Sequence, residues 1–187
     1  MFKIDVIKFT GRPVEVYEDI DNYIKSFKQE FKLVSHSSGA YAHTYKSKLD
    51  SEVIVKIGDP KDDPYWAYVK ALSTTRTRNP VLPILYHAIH LQGTVAEKYI
   101  VVMERLRHAR YGKEHNAVEQ FADIMLNCIN KQGEVPMVGF RLEPQIQEAL
   151  YFVNNVRKRN HGNHWFDLHD QNWMFRGNQI VLTDPLA

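Results

Sequence analysis

Near its end the chain reads Phe166-Asp167-Leu168-His169-Asp170-Gln171-Asn172, and a second short motif, Thr183-Asp184-Pro185, follows after ten intervening residues. Asp167 and Asn172 are five residues apart on one predicted loop. Two short strands are predicted between the motifs, at 173–175 and 180–182. Such a loop can supply a carboxylate for a substrate hydroxyl and oxygen ligands that hold Mg²⁺ against phosphates. The pattern therefore predicts phosphoryl transfer, although Asp and Asn also favour ordinary turns.

Two amphipathic helices are predicted before this loop. Apolar residues recur at helical spacing over about 116–130 and about 144–159, and the residues over 132–141 predict a connecting loop. Cys128 falls in the apolar pattern of the first helix, which favours a buried and inert thiol. The later part of the chain is therefore predicted to be mainly helical.

The earlier part of the chain is predicted to form a sheet. Strand signals separated by turn residues cover 31–36, 42–48, 53–57, 84–90 and 98–103. One helix is inserted after the third strand, because Asp62-Asp63-Pro64 supplies a cap and a proline at the first helical position, and it runs to about Leu72. The residues before the sheet predict two short strands within 1–9 and 13–17 and a helix over 19–31.

Length and composition limit the class of protein. The chain has 187 residues, of which 44% are hydrophobic, and this suffices for one core or two small lobes. The formal net charge of +2 is too small to predict a nucleic-acid-binding protein. No apolar run approaches the roughly 18 residues of a membrane span. These features predict a cytoplasmic protein that binds neither nucleic acid nor membrane.

The two motifs resemble the catalytic loop of protein kinases and of the related aminoglycoside phosphotransferases, in which Asp-x-x-x-x-Asn precedes a metal-binding Asp. The stretch 166–175 together with Thr183-Asp184-Pro185 is similar to the small serine/threonine protein kinase of T7-like bacteriophages, which has Asp-Pro where most kinases have Asp-Phe-Gly. The resemblance implies that Asp167 is the catalytic Asp, that Asn172 is a Mg²⁺ ligand and that Asp184 is the metal-binding Asp.

The resemblance also implies the fold. We expect an α+β, bilobal, protein-kinase-like fold, with an antiparallel five-stranded N-lobe over 1–103 and a truncated helical C-lobe over 104–187. ATP and Mg²⁺ would bind in the cleft between these lobes. The segment over 37–45 resembles a degraded glycine-rich loop, whose nucleotide-binding positions would be Ser37, Gly39, Ala40 and Tyr41. A glycine between two strands can equally be a simple turn.

Other landmarks of the kinase family follow in the expected order. Lys56, within Val53-Ile54-Val55-Lys56, resembles the strand lysine that contacts the α- and β-phosphates, although an edge strand can also carry a surface lysine. Residues 99–106 resemble the last strand of the small lobe and the hinge. The resemblance places Met103 beside the adenine and makes the backbone of Glu104 and Leu106 the base contacts, whereas any buried strand entering a loop would look similar.

Three features depart from the family pattern. No glutamate lies between Glu52 and Glu97, so the helix glutamate that normally pairs with the strand lysine is absent, and Asp62 or Asp63 is the possible substitute. Trp165 stands where kinases usually have histidine. Ordinary kinases continue past the metal-binding Asp with an activation segment and further helices, so we expect either a longer natural protein or a minimal kinase that presents its substrate differently.

The resemblance implies a phage serine/threonine protein kinase that phosphorylates host proteins during host takeover, with autophosphorylation as a further expectation. Two other classes stay open. One is a small-molecule phosphotransferase, which shares Asp-x-x-x-x-Asn. The other is a kinase-like binding module, weakly active or inactive, that inhibits a host enzyme by docking to it.

Overall fold

A computed structural model of the protein describes residues 2–3, 16–17, 22, 24–25, 29, 31–38, 42–61, 63–75, 78–92, 97–129, 143–160 and 164–187. The chain divides into two compact units. The first unit comprises Met1–Asp63 and Tyr86–Arg105, and the second comprises Pro64–Leu85 and Leu106–Ala187. The chain passes from one unit to the other three times, and the expected boundary after residue 103 lies close to the third passage, after Arg105; Pro64–Leu85, which was expected in the first lobe, groups with the second unit.

The first unit contains a five-stranded antiparallel sheet, and this expectation is confirmed. Two short paired strands, β1 (Phe2–Lys3) and β2 (Val16–Tyr17), precede it. The sheet strands are β3 (Phe31–Ser38), β4 (Ala42–Ser47), β5 (Val53–Gly58), β6 (Leu85–Gln92) and β7 (Glu97–Glu104), in the spatial order β3-β4-β5-β7-β6. Residues 22, 24 and 25 of the helix expected over 19–31 are helical, whereas residue 29 lies in a turn and Phe31 already belongs to β3; the other residues of that helix lie outside the described residues.

Alternation along β5 determines which side chains enter the core of the first unit. Val53, Val55 and Ile57 are buried in a cluster with residues of neighbouring strands such as Tyr45 and Ile100. Because side chains alternate across a strand, Lys56 lies on the opposite face of the sheet. The β-branched residues that predicted this strand therefore also determine the face on which the lysine is displayed.

Gly58, the last residue of β5, is required by a buried aromatic ring. Gly58 pairs with Tyr99 of β7, and a Cβ added at Gly58 would lie 2.5 Å from Tyr99 Cζ and 2.7 Å from Cε1. The Tyr99 side chain is fully buried, and its hydroxyl donates a hydrogen bond to the carboxylate of Asp63. The absence of a side chain at Gly58 is therefore what leaves room for the ring.

The second unit contains three α-helices among its described residues; the sequence predicted all three helices but placed the first of them in the first lobe. They are α1 (Pro64–Thr74), α2 (Lys113–Cys128) and α3 (Pro144–Arg159). Proline is the first residue of α1 and α3, where its missing N–H costs no hydrogen bond. The hairpin of β8 (Trp173–Arg176) and β9 (Gln179–Leu182) completes the unit. None of the helices in the described part of the chain has the length and apolar character needed to cross a bilayer.

Hydrogen bonds explain why Pro64–Leu85 groups with the second unit. Leu182 of β9 donates its backbone N–H to the carbonyl of Val81 at 2.8 Å. The guanidinium of Arg176 donates to the carbonyls of Pro80 and Leu82, both at 3.0 Å. These bonds connect β8 and β9 directly to the segment that follows α1. The grouping depends on contacts between residues about a hundred positions apart, which local patterns do not reveal.

Candidate functional site

The loop that carries Asp167 and Asn172 is held by its own side chains. A single 3₁₀ turn covers Asp170–Asn172, and the side chain of His169 caps it by accepting the Gln171 backbone N–H at 3.2 Å. The Asn172 side chain is buried, and its Nδ2 donates to the backbone carbonyl of Asp167 at 2.8 Å. This bond closes the loop, and because it uses the nitrogen of the amide, it leaves the Oδ1 end of Asn172 as the possible metal ligand.

The segment that carries Asp184 is paired with the same loop. Thr183 donates to the carbonyl of Asn172 twice, from its backbone N–H at 2.9 Å and from Oγ1 at 3.1 Å. Asp167 donates its backbone N–H to the carbonyl of Pro185 at 2.8 Å. Asp184 lies between these two attached residues. The structure therefore brings Asp167, Asn172 and Asp184 together, although two of them are 17 residues apart in sequence.

This arrangement combines two carboxylates with one amide oxygen, and both carboxylates are half-buried. The described residues contain no group of three or more His, Cys, Asp or Glu side chains placed to hold a metal ion. Mg²⁺ differs from zinc in this respect, because it is commonly held by one or two carboxylates together with substrate phosphates and water. Asn172 and Asp184 therefore fit a Mg²⁺ that arrives with a nucleotide better than a resident metal.

Tyr68 of α1 is a further part of this site that the sequence did not indicate. Its hydroxyl donates to the backbone carbonyl of Leu182 at 3.0 Å, two residues before Asp184. The side chain is completely buried, and this burial, with smaller contributions from Tyr65 and Asp184, raises the pKa of Tyr68 well above its usual value. The phenol therefore stays protonated and remains a hydrogen-bond donor to the last residue of β9, two residues before Asp184.

Aromatic packing fixes the other side of the loop. The indole of Trp173 is buried, and its Nε1–H donates to the carbonyl of Leu168 at 3.0 Å. The ring of Phe121 on α2 meets the Trp173 ring edge to face, with 4.9 Å between centroids. In contrast, 69% of Trp165 is exposed, and its backbone pairs with Ala187 in both directions, at 2.8 and 3.0 Å. The loop is thus anchored by Trp173, while Trp165 contributes through its backbone.

Carboxylate and imidazole groups alternate in a row that begins at Asp167 and ends at α2. His169 Nε2 lies 3.4 Å from Asp167 Oδ1, and His169 Nδ1 lies 3.9 Å from Asp170 Oδ1. On the far side, Asp170 Oδ2 lies 4.0 Å from Nδ1 of His115 on α2. The sequence had not indicated His115. The catalytic Asp expected from the motif is therefore one member of a larger polar group.

A second cluster connects the residues after β7 to the β8–β9 hairpin. Arg107 forms a bidentate ion pair with Glu114, with both N–O distances 2.8 Å, and its guanidinium lies 4.5 Å from the centroid of the Phe175 ring. Its backbone pairs with Phe175 in both directions, and its Nη2 donates to the Gly177 carbonyl at 3.0 Å. Hydrogen bonds from Arg107 and from the Arg110 backbone lower the pKa of Glu114 to about 2.

The remaining predicted nucleotide-binding residues belong mainly to the first unit. Lys56 is half-buried on β5, paired with Thr44 on one side and Val101 on the other. The backbone of Ser37 lies in β3, whereas Gly39, Ala40 and Tyr41 lie outside the described residues. The predicted roles of these residues stay predictions.

The predicted hinge residues are buried. Met103 and Glu104 are the last two residues of β7, and they are only 4% and 7% exposed. The strand continues into a turn in which Arg105 donates its backbone N–H to the Glu52 carbonyl. Leu106 is also buried and belongs to the second unit. The chain therefore passes from the first unit to the second, after Arg105, within the segment that was expected to contact the base.

Neither α1 nor the residue before it offers an unengaged carboxylate in the role that the kinase pattern gives to a helix glutamate. Helix α1 contains no acidic residue. Asp63, which immediately precedes α1, is buried and accepts a hydrogen bond from the Tyr99 hydroxyl, while Asp62 lies outside the described residues. Tyr68 of α1 contacts the strand before Asp184 through its hydroxyl, which donates to the Leu182 carbonyl.

No protein-family model matches the chain, and no curated protein matches it. A function for this site must therefore be inferred from its own residues and their geometry.

Proposed function

We propose that this protein is an ATP- and Mg²⁺-dependent phosphotransferase of the serine/threonine protein kinase type. One observation supports the proposal above all others. Asn172 Nδ2 donates to the Asp167 carbonyl, and the two neighbours of Asp184, Thr183 and Pro185, pair with the backbones of Asn172 and Asp167, all at 2.8 to 2.9 Å. If these Asp and Asn residues only formed turns, the loop before the β8–β9 hairpin would not need to pair with the segment after it. Two carboxylate residues and one amide residue on adjacent paired segments suit a site for a phosphorylated, metal-bound ligand.

Each residue has a role that follows from its chemistry. The carboxylate of Asp167 would accept or orient the proton of the attacking hydroxyl. Asn172 and Asp184 would hold Mg²⁺, which neutralises phosphate charge when it is bound with ATP. Lys56 would contact the α- and β-phosphates, and the segment from Met103 to Leu106 would contact the base. These last two roles are supported by the family resemblance alone.

The acceptor is proposed to be serine or threonine in host proteins, as in the phage kinases that the motifs resemble, and the cytoplasmic location is proposed on the same basis. A small-molecule phosphotransferase would share the Asp167–Asn172 loop. The two classes differ in where phosphate goes, because a protein kinase leaves label in protein, whereas a small-molecule enzyme leaves it in the acid-soluble fraction.

A second candidate function, nucleotide binding without useful turnover, is favoured by one specific observation. Helix α1 has no carboxylate to pair with a strand lysine, and Asp63 next to it already accepts a hydrogen bond from Tyr99. Catalysis of phosphoryl transfer is mostly positioning and electrostatics, so a kinase-like site whose helix supplies no carboxylate would have reduced turnover. Such a protein could act by docking to a host enzyme.

The proposal is tested by transfer from γ-labelled ATP with Mg²⁺ and a bacterial lysate. Asp167→Ala should lower the transfer to protein by about 10²- to 10⁴-fold, as expected for the loss of a catalytic carboxylate. Asp184→Asn should also lower it, and excess Mg²⁺ should restore part of the activity. Asp123 on α2 is an exposed carboxylate of the same unit, so Asp123→Ala and Asp123→Asn are matched controls that should transfer normally.

Three results would redirect the proposal. Transfer that persists in both Asp167→Ala and Asp184→Asn would place the chemistry elsewhere. Absence of transfer by the parent, with a melting temperature that rises on addition of MgATP, would favour the binding-only candidate. Label found only in small molecules would favour the small-molecule phosphotransferase.

A further inference from the structure

We propose that Trp165 is a specificity-determining residue: its indole binds a lysine or arginine side chain that lies two residues from the phosphate-accepting serine or threonine of a protein substrate. The inference rests on the proposed function, because it takes Asp167 as the residue that receives the hydroxyl proton. A substrate would then be recognised by a cation beside its acceptor.

Trp165 and Asp167 lie on one short extended segment that pairs with residues 185–187. Trp165 exchanges two backbone hydrogen bonds with Ala187, at 2.8 and 3.0 Å, and Asp167 donates its backbone N–H to the Pro185 carbonyl at 2.8 Å. The residues between these two pairs form an antiparallel bridge, so the pairing is in register. Because side chains alternate along such a segment, Trp165 and Asp167 project from the same face, about 7 Å apart along the chain.

The opposite face of this segment is packed against the protein. Leu186 is 3% exposed, and the guanidinium carbon of Arg157 on α3 lies 5.6 Å from the centroid of the Phe166 ring. In contrast, 69% of Trp165 and 34% of the Asp167 side chain are exposed. The indole and the proposed catalytic carboxylate are therefore presented together on the side that faces solvent.

An exposed indole on the same face as a carboxylate favours a cationic partner. Among aromatic rings, tryptophan binds the ammonium of lysine or the guanidinium of arginine most strongly over its face. Asp167 adds negative charge on this face, whereas Arg157, a cation close to the segment, lies on the opposite one. The carboxylate would repel an acidic substrate side chain, and an apolar side chain would gain nothing from it.

The spacing determines which substrate residue meets the indole. An extended peptide advances about 3.4 Å per residue, so its side chains two residues apart lie on one face, about 7 Å from each other. With its acceptor hydroxyl at Asp167, such a peptide laid along the segment places the residue two positions away at Trp165. Both directions of the peptide give this spacing, so the cation is expected two residues before or two residues after the acceptor.

The test compares the sites that the protein phosphorylates in a bacterial lysate with MgATP. Mass spectrometry identifies the sites after digestion with a protease that cleaves at glutamate, which leaves lysine and arginine within the peptides. In the parent, lysine or arginine two residues from the acceptor should be about two- to fivefold more frequent than at unmodified serine and threonine in the same proteins. This is the factor that a cation–π contact at an exposed site supplies.

Two substitutions distinguish a contact with the ring from an apolar contact. Trp165→Phe keeps an aromatic face, and Trp165→Leu keeps an apolar side chain without a ring. The preference for the cation should persist in Trp165→Phe and disappear in Trp165→Leu, with KM for ATP unchanged in both. Tyr111→Leu is the matched control and should keep the preference, because Tyr111 is a completely exposed aromatic residue of the same unit.

Fluorescence measures the contact directly in the parent protein. Trp66 and Trp173, the other two tryptophans of the chain, are buried, so acrylamide quenches chiefly Trp165. A synthetic peptide that copies a labelled site with arginine at the expected position should protect Trp165 from quenching. The same peptide with leucine in place of that arginine should not protect it.

Four results would overturn the inference: a cation preference that survives Trp165→Leu, a parent that selects apolar or acidic residues at this position, a parent that selects none, or equal protection by the two peptides. Melting temperatures equal to that of the parent show that the variants are folded, as expected because Trp165 makes its hydrogen bonds to Ala187 through its backbone. If the parent labels no protein, the proposed function fails. Labelled protein without the cation preference contradicts this inference alone.

Discussion

Replacing Tyr68 with phenylalanine should destabilise the second unit and weaken Mg²⁺ binding at the proposed site. The ring stays in contact with Tyr65 and Phe152, whose centroids are 6.2 and 6.1 Å away, so only the hydroxyl is lost. That hydroxyl donates to the buried carbonyl of Leu182 at 3.0 Å. Losing one buried hydrogen bond, and leaving its acceptor less satisfied, should cost about 1–2 kcal/mol of unfolding free energy.

The same change should raise the Mg²⁺ concentration needed for half-maximal phosphate transfer. Leu182 is two residues before Asp184, so freedom at its carbonyl is passed along the backbone to the proposed metal ligand. Urea unfolding measures the first effect, and a Mg²⁺ titration of transfer at saturating ATP measures the second. The matched control is Tyr111→Phe, because Tyr111 is completely exposed and should change neither quantity.

The pH dependence of the Tyr68→Phe effect provides a further check. Burial raises the pKa of Tyr68 above its usual value near 10, whereas in the unfolded chain the phenol ionises there. The stability that Tyr68 contributes is therefore complete below about pH 10 and is lost as the pH rises above it. The difference between parent and variant should narrow in alkaline solution. Equal stability of parent and variant at pH 7, or a loss equal to that of Tyr111→Phe, would refute the reasoning.

Two further predictions concern residues on either side of the site. Gly58→Ala should lower the free energy of unfolding, measured in urea, by about 1–3 kcal/mol, because the new Cβ overlaps the buried ring of Tyr99. In a Tyr99→Leu background the same substitution should have no effect on stability. A loss of stability that persists in that background would contradict the overlap. Glu114→Gln should lower the melting temperature at pH 7, because Arg107 holds the pKa of Glu114 at about 2, below its ordinary 4.5. The stability that this ion pair contributes is present above about pH 4.5 and is lost as the pH falls toward 2. The melting temperatures of the parent and Glu114→Gln should therefore converge in acid. A difference in melting temperature that stays constant with pH would exclude the ion pair as its cause.

Local patterns were sufficient to predict the elements of this fold. Strand β5 is rich in β-branched residues, and α1 begins at Pro64 as the cap pattern indicated. The pairing of the Asp167 loop with the Asp184 segment could also be predicted from the sequence, because the two motifs and the hairpin between them lie in one short stretch of chain. These features depend on contacts between residues close in sequence.

Features that depend on distant contacts were not predicted. Tyr68 and Leu182 are 114 positions apart, and a tyrosine in an apolar helix pattern has the same periodicity whether or not its hydroxyl has a partner. The grouping of Pro64–Leu85 with the second unit arises from bonds to Arg176 and Leu182, which have no local signature. The requirement for Gly58 likewise depends on which residue of β7 lies opposite it.

The hydrogen bond from Asn172 Nδ2 to the Asp167 carbonyl makes the loop sensitive to deamidation. Asparagine and aspartate have nearly the same shape, but only asparagine has a donor to offer that carbonyl. Hydrolysis of the amide, the ordinary ageing reaction of asparagine, would place a carboxylate oxygen against a carbonyl oxygen and separate the two halves of the loop. A single exchange of nitrogen for oxygen, with almost no change in the shape of the side chain, would thus open the loop that carries the proposed site.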